Sequence, residues 1–132
     1  MTDEPVFITF EDALFFHKEE IRRTGGISGI RDQTALEAAL GAPKASFGGA
    51  YLMNLFEMAA TYVESVCANH PFLDGNKRAG TACALTFLYL NGYEVDENHD
   101  EELADMILDL VCHRIDKNAL SDYFRRQARY IK

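Results

Sequence analysis

An all-α bundle is the fold class that the sequence predicts, and three observations predict it. Apolar residues recur at helical spacing through most of the chain. Those runs are punctuated by start and stop signals, among them Thr9, Thr24-Gly25-Gly26, Asp32, Pro71 and Asn91-Gly92. The 132 residues are 48% hydrophobic and rich in Leu, Phe and Ala, the composition of a packed core rather than a disordered chain.

The elements follow in order. Phe7-Ile8 reads as a short strand. Thr9 is placed to cap a helix over residues 11–23, with Phe10, Ala13, Leu14, His17 and Ile21 on its core stripe. Residues 27–30 form a turn, and Arg31-Asp32 opens a second helix that runs through Leu40. Residues 41–51, with Pro43, Gly48 and Gly49, are the longest irregular stretch. Helices follow over residues 52–69 and 76–91, and a six-residue connection makes them antiparallel neighbours. Tyr93-Glu94-Val95 reads as a short strand, and helices over residues 100–114 and 116–130 complete the chain. The expected organisation is one domain over residues 1–132, with no repeat or linker.

Composition narrows the function classes. A net charge of −8 argues against direct nucleic-acid binding, which needs clustered Lys and Arg. The charge is uneven. Glu94, Asp96, Glu97, Asp100, Glu101, Glu102, Asp105 and Asp109 form an acidic block, while Arg114, Lys117, Arg125, Arg126, Arg129 and Lys132 make the last segment basic. These are solvated helix faces or a docking surface for an oppositely charged partner. Neither a signal peptide nor a membrane span is visible, so a cytoplasmic location is expected. Cys67, Cys83 and Cys112 lie in apolar helical contexts and read as free buried thiols, with no CxxC to support zinc beside Cys67 and His70.

Chemistry is concentrated in His70-Pro71-Phe72-Leu73-Asp74-Gly75-Asn76-Lys77-Arg78. These residue types can bind a phosphate chain, hold a metal and remove a proton. Pro71 keeps His70 out of the α region, so one helix ends at about Asn69 and the next begins at Asp74-Gly75-Asn76. Free N–H groups and the helix dipole at that second terminus favour an anion. Lys77 and Arg78 oppose the dipole there, a conflict that a bound anion between them would remove. His70 is the candidate general base. Phe72 is expected to anchor the loop in the core. Asp74 is a candidate Mg²⁺ ligand, or a helix N-cap, or both. Gly75 and Asn76 offer donors to phosphate oxygens, and Arg78 a bidentate grip.

The stretch resembles the signature of the Fic/Doc (Fido) family, His-x-Phe-x-Asp/Glu-Gly-Asn-Gly/Lys-Arg, and Asn76-Lys77-Arg78 resembles its death-on-curing (Doc) branch. Gly29-Ile30-Arg31-Asp32, the run from Leu36 to Leu40, Pro43, Asn69 and Asn91-Gly92-Tyr93 are similar to that branch as well. The likeness covers about residues 5–127. It implies a compact Fido-type bundle around a central motif-bearing helix pair, with the flap as a candidate short β-hairpin. It also implies ATP as substrate, Mg²⁺, and catalytic roles for His70, Asp74, Lys77 and Arg78. In the commoner Fic motif a Gly stands at the place of Lys77, and those members resemble AMP-transferases. In the Doc branch the nucleotide is implied to sit reversed, with its γ-phosphate beside the histidine. Thr81, where AMP-transferring members usually carry a second arginine, points the same way; Gly75, where the prototype toxin has Ala, does not.

Phosphate transfer is therefore the leading expectation, AMP transfer the second, and a non-catalytic helical interaction protein a third. The implied target is a threonine of translation elongation factor Tu, with arrest of translation as the outcome. The flap that would hold that target aligns with residues 41–51, with Phe47, Gly48, Gly49 and Tyr51 as contacts. No Ser/Thr-x-x-x-Glu-Gly/Asn self-inhibitory pattern occurs, since Tyr93 stands where Glu97-Asn98 would need Ser or Thr. A separate Phd-like antitoxin is the implied partner, its segment folding as a helix on an apolar groove, and the first helix, with Phe15 and Phe16, is a candidate face.

Overall fold

The structure is a computed structural model that describes residues 4–96 and 99–131. Six helices form the body: α1 (Phe10–Thr24), α2 (Gln33–Gly41), α3 (Leu55–Asn69), α4 (Asn76–Leu90), α5 (Asp100–Val111) and α6 (Lys117–Gln127). Two small antiparallel pairs accompany them, β1 (Ser46–Phe47) with β2 (Ala50–Tyr51), and β3 (Tyr93–Val95) with β4 (Ala128–Tyr130). Strands this short leave the class all-α.

Local chemistry explains the helix starts. Thr9 and Asp12 close a reciprocal capping box on α1, and Asn54 and Glu57 do the same on α3. Asp32 and Asp116 cap α2 and α6 through their carboxylates. Residues 52–54 therefore precede α3 instead of belonging to it.

The central pair, α3 and α4, carries the core. Met58, Tyr62, Val63 and Val66 of α3 are buried against Ala79, Cys83, Ala84 and Phe87 of α4. The helices come close at Gly80, where an added Cβ would sit 3.3 Å from Val63 Cα and the neighbouring backbone would have to yield by a few tenths of an ångström. Leu36 and Ala39 of α2, Leu103 and Ile107 of α5, and Leu120 and Phe124 of α6 close the core from other sides. No described helix is long and apolar enough to cross a membrane.

Three expectations are corrected. Phe7-Ile8 is not a strand; the Ile8 N–H donates to the Tyr62 hydroxyl at 3.0 Å instead. The last helix stops at Gln127, because residues 128–130 pair with residues 93–95 across the chain. That pairing sets Arg129 opposite Glu94, 2.7 Å away, so part of the basic tail is neutralised by the acidic block. Glu97 and Lys132 of those two groups lie outside the described residues. Among the thiols only Cys83 is buried; Cys67 is half-buried and Cys112 exposed.

Candidate active site

The motif occupies the turn between α3 and α4. His70 is the C-cap of α3 with φ 51° and ψ 53°, so it leaves the right-handed region by entering the left-handed one. Pro71 disfavours helical geometry at His70, and a left-handed residue is a common way for a helix to end. Three successive carbonyls of this turn accept hydrogen bonds from one residue and its neighbour. Arg31 Nη2 donates to Asn69 O at 2.8 Å and Nε to His70 O at 2.6 Å. The backbone N–H groups of Arg31 and Asp32 donate to Pro71 O at 2.7 and 3.1 Å.

Phe72 is buried, as expected of an anchor, with its ring stacked face to face on His17 at a centroid distance of 3.8 Å. Asn76, itself buried, accepts from the Phe72 N–H through Oδ1 and donates to the Phe72 carbonyl through Nδ2, both at 3.0 Å. This fixes the amide orientation and places Nδ2 3.2 Å from His70 Nδ1. The contact is a hydrogen bond when Nδ1 is the unprotonated nitrogen, the tautomer with its proton on Nε2. The Asn76 side chain is thus spent on the loop, and its backbone N–H is what it offers an anion.

Asp74 does not cap α4. That position belongs to Gly75, in the left-handed region at φ 76° and with no side-chain cap. The Asp74 carboxylate instead accepts from the Gly75 N–H at 2.8 Å and the Ile27 N–H at 3.2 Å. These two donors, Ile27 first, hold its carboxyl below the usual carboxylate range. Gly26 makes the approach possible: a Cβ there would lie 2.7 Å from Asp74 Oδ2. The half-buried carboxylate keeps lone pairs for a cation. Among the described residues no cluster of three or more His, Cys, Asp or Glu could hold a metal alone. One carboxylate completed by phosphate oxygens is the arrangement Mg²⁺ tolerates best, so Asp74 fits that ion.

Gly75 leaves the first N–H groups of α4 uncovered by any side chain. Arg78 reaches back to Thr24 Oγ1 and to Gly25 O at the end of α1. Lys77 is exposed. Two clefts of about 360 Å³ each meet at these cations. One holds His70, Asp74, Gly75, Asn76 and Cys67. The other runs between α1, α4 and α5, with Thr81, Ala82, Leu85, Leu103 and Ile107 along its walls. Burial pushes the Cys67 thiol up to about 11, against the nearby Lys77 ammonium, so it is neutral there at pH 7.

His70, Asp74, Gly75, Asn76, Lys77 and Arg78 are therefore brought together. The residues expected at a flap are not. The hairpin forms, but Tyr51 packs on Phe7, which stacks on Phe87 three turns along α4, and Tyr51 donates to Glu4. Gly49 and Tyr51 line a separate cleft with Leu90, Asn91 and Tyr130, at the opposite end of the helix pair from His70, and Phe47 is 81% exposed to solvent. Phe15 of α1 is 59% exposed, while Phe16 packs against the core.

Two features escaped the sequence reading. His17 is buried and its Nε2 lies 2.7 Å from Asp74 O; its only signal was a titratable residue on the apolar stripe of α1. The loop over residues 25–32 runs antiparallel to the motif, with an isolated bridge between Ile30 and Phe72 and a bond from Leu73 N–H to Gly29 O. It touches the motif from Asn69 to Arg78.

Residues 7–88 match the family model described as Fic/DOC family. Over 119 residues the chain is 34% identical to "Protein kinase doc" of Escherichia phage P1, which covers 90% of this chain and 93% of that protein. Over 91 residues it is 35% identical to "Toxin Doc" of Mycolicibacterium smegmatis, covering 68% and 70%.

Proposed function

From the premise that the chain belongs to the Fic/DOC family, we propose that it is the Doc-like toxin of a toxin–antitoxin pair and transfers the γ-phosphate of ATP to a protein hydroxyl. The acceptor is a threonine of elongation factor Tu, and the consequence is arrest of translation. The observation that carries phosphate transfer over AMP transfer is the pair of clefts meeting at Lys77 and Arg78. The α4–α5 cleft combines apolar walls, Ala82, Leu85, Leu103 and Ile107, with the charged Glu20, Arg23 and Asp100 and suits a nucleoside, while the other holds His70 and Asp74. A nucleoside in the first, with its phosphates crossing the two cations and the α4 N-terminus, leads with its γ-phosphate toward His70.

The residues divide the work. Arg78 grips phosphate oxygens in exchange for its bonds to Thr24 and Gly25, and Lys77 offsets charge as a point cation. Asp74 would hold Mg²⁺ together with phosphate oxygens, and the ion would supply charge neutralisation on the transferring group. His70 takes the hydroxyl proton as the acceptor oxygen bonds to the γ-phosphorus, and the bond from that phosphorus to the β,γ-bridging oxygen breaks to release ADP. The lone pair available for that proton is the one on Nδ1, which Asn76 Nδ2 faces at 3.2 Å when Nε2 carries the ring proton, and the ring is otherwise exposed.

The names of the relatives support an antitoxin partner, and a Phd-like protein that inserts an apolar helix face is its expected form. Intact-mass spectrometry of elongation factor Tu incubated with the protein, ATP and Mg²⁺ tests the reading. A gain of one phosphate, lost with His70→Ala, is expected. A gain of one AMP would overturn the nucleotide's orientation, and an unmodified acceptor would overturn the target.

A further inference from the structure

We propose that Arg31 is the positioning residue for His70: its guanidinium sets where the base stands, and so the rate of transfer, without touching nucleotide or acceptor. The inference rests on the base role given to His70 above. Arg31 is exposed, so it contributes no core packing, yet it makes two short charge-assisted bonds to consecutive carbonyls, 2.6 Å to His70 O and 2.8 Å to Asn69 O.

Those carbonyls need an outside partner. The last four C=O groups of a helix have no donor inside it, and the left-handed cap turns His70 O away from the helix axis. A non-glycine residue in that conformation is strained and persists only where its surroundings over-determine it. Arg31 and its neighbour supply that surplus. Nη2 and Nε span Asn69 O and His70 O, and the N–H groups of residues 31 and 32 both close on Pro71 O. Every carbonyl from one residue before the base to one residue after it is thereby tied to a single point on the α1–α2 loop. A cation at this end of α3 also opposes the negative end of its dipole.

The fork geometry matters as much as the charge. A lysine at position 31 keeps the charge but presents a compact ammonium, which cannot reproduce the planar two-bond span. Asp74 and Arg78 are held by other groups, namely Ile27, Gly75, Thr24 and Gly25. Nucleotide binding is therefore expected to survive the substitution while alignment of the base does not.

The test compares wild type, Arg31→Lys and Arg31→Gln in the full chain, with ATP, Mg²⁺ and elongation factor Tu. Displacing a base by about 1 Å costs on the order of 100-fold, so kcat is expected to fall about 30- to 100-fold with KM for ATP within about 2-fold. Melting temperature is measured beside it. A kcat within about 2-fold of wild type in both folded variants would overturn the proposal. So would a loss of kcat that merely tracks a raised KM and a lowered melting temperature, because that marks a structural cap. Histidine-selective NMR supplies a readout independent of transfer. The His70 ring signals, assigned by their absence in His70→Ala, are expected to shift and broaden in Arg31→Lys, and unchanged signals would overturn the positioning role. Should wild type transfer nothing, the proposed activity fails while the NMR comparison still decides Arg31.

Discussion

Replacing Asn76 tests whether the motif loop is held by the single amide described above. Phe72 is 1% exposed, and both its backbone N–H and its C=O pair with the Asn76 side chain at 3.0 Å. Asn76→Ala removes both partners at once. A buried polar group left unpaired costs about 1–3 kcal/mol, so the pair predicts a loss of about 2–5 kcal/mol after a small return from alanine's helix propensity. With a urea m-value of about 1–3 kcal/mol/M, the midpoint should drop by roughly 0.7–5 M at unchanged m. Asn76→Asp is the sharper variant because its shape is nearly the same. One oxygen can still accept from the Phe72 N–H, but the other faces the Phe72 carbonyl, acceptor against acceptor. The helix N-terminus would return about 0.3–1 kcal/mol to the charge, which is less than the lost bond and the repulsion together. At pH 7 the Asp variant should therefore be about as unstable as the Ala variant. Its folded-state carboxyl would be raised above the unfolded value, so the deficit should shrink as pH falls toward about 4. An Ala variant losing less than about 0.5 kcal/mol, or an Asp variant as stable as wild type at pH 7, would refute the reasoning.

Three further outcomes follow from the same geometry. Gly26→Ala should cost about 1–3 kcal/mol in chemical denaturation, because φ of +121° strains any side chain and the new Cβ would meet Asp74 Oδ2 at 2.7 Å. The depressed Asp74 carboxyl stabilises the fold above its unfolded value and loses that contribution as pH falls through its folded value. Stability measured below about pH 4 should thus fall less steeply in Asp74→Asn than in wild type, and superimposable curves would refute the assignment. Iodoacetamide at pH 7 should label exposed Cys112 first, then Cys67, with a thiol pushed up to about 11, and last Cys83, pushed up to about 12, as peptide mapping over time would show.

What was legible in the sequence was what side-chain type records locally. Apolar spacing and cap residues such as Thr9 and Asp32 located the helices to within a few residues, and Pro71 marked the break at His70. Three kinds of feature left no such record. The strand over residues 128–130 depends on a partner about 35 positions away, so its sequence continues the helical pattern of α6 until the pairing is seen. The α1–α2 loop serves the motif largely through backbone groups, as where Gly29 O accepts from Leu73 N–H, and such groups carry no residue signature. The resemblance implied that residues 41–51 hold a target beside the base, but Tyr51 and Phe7 hold the hairpin beside Phe87. Asp74 was legible as a functional carboxylate but not as one held by Ile27, since that contact spans 47 residues.

The bonds that close on the turn after α4 have a consequence for how the chain can be rewired. Asn91 exchanges two hydrogen bonds with Val6, and the Ile131 N–H donates to Gly92 O, so both outermost described segments are fastened to adjacent residues. At 1.5 Å per residue, the 15 residues of α4 set that junction about 22 Å from the motif. Val6 and Ile131 are thus held side by side at a corner remote from His70. A short bridge from Ile131 to Val6 would convert the described fold into a ring, which could be reopened at Gly48-Gly49 to give a permuted chain with the motif undisturbed.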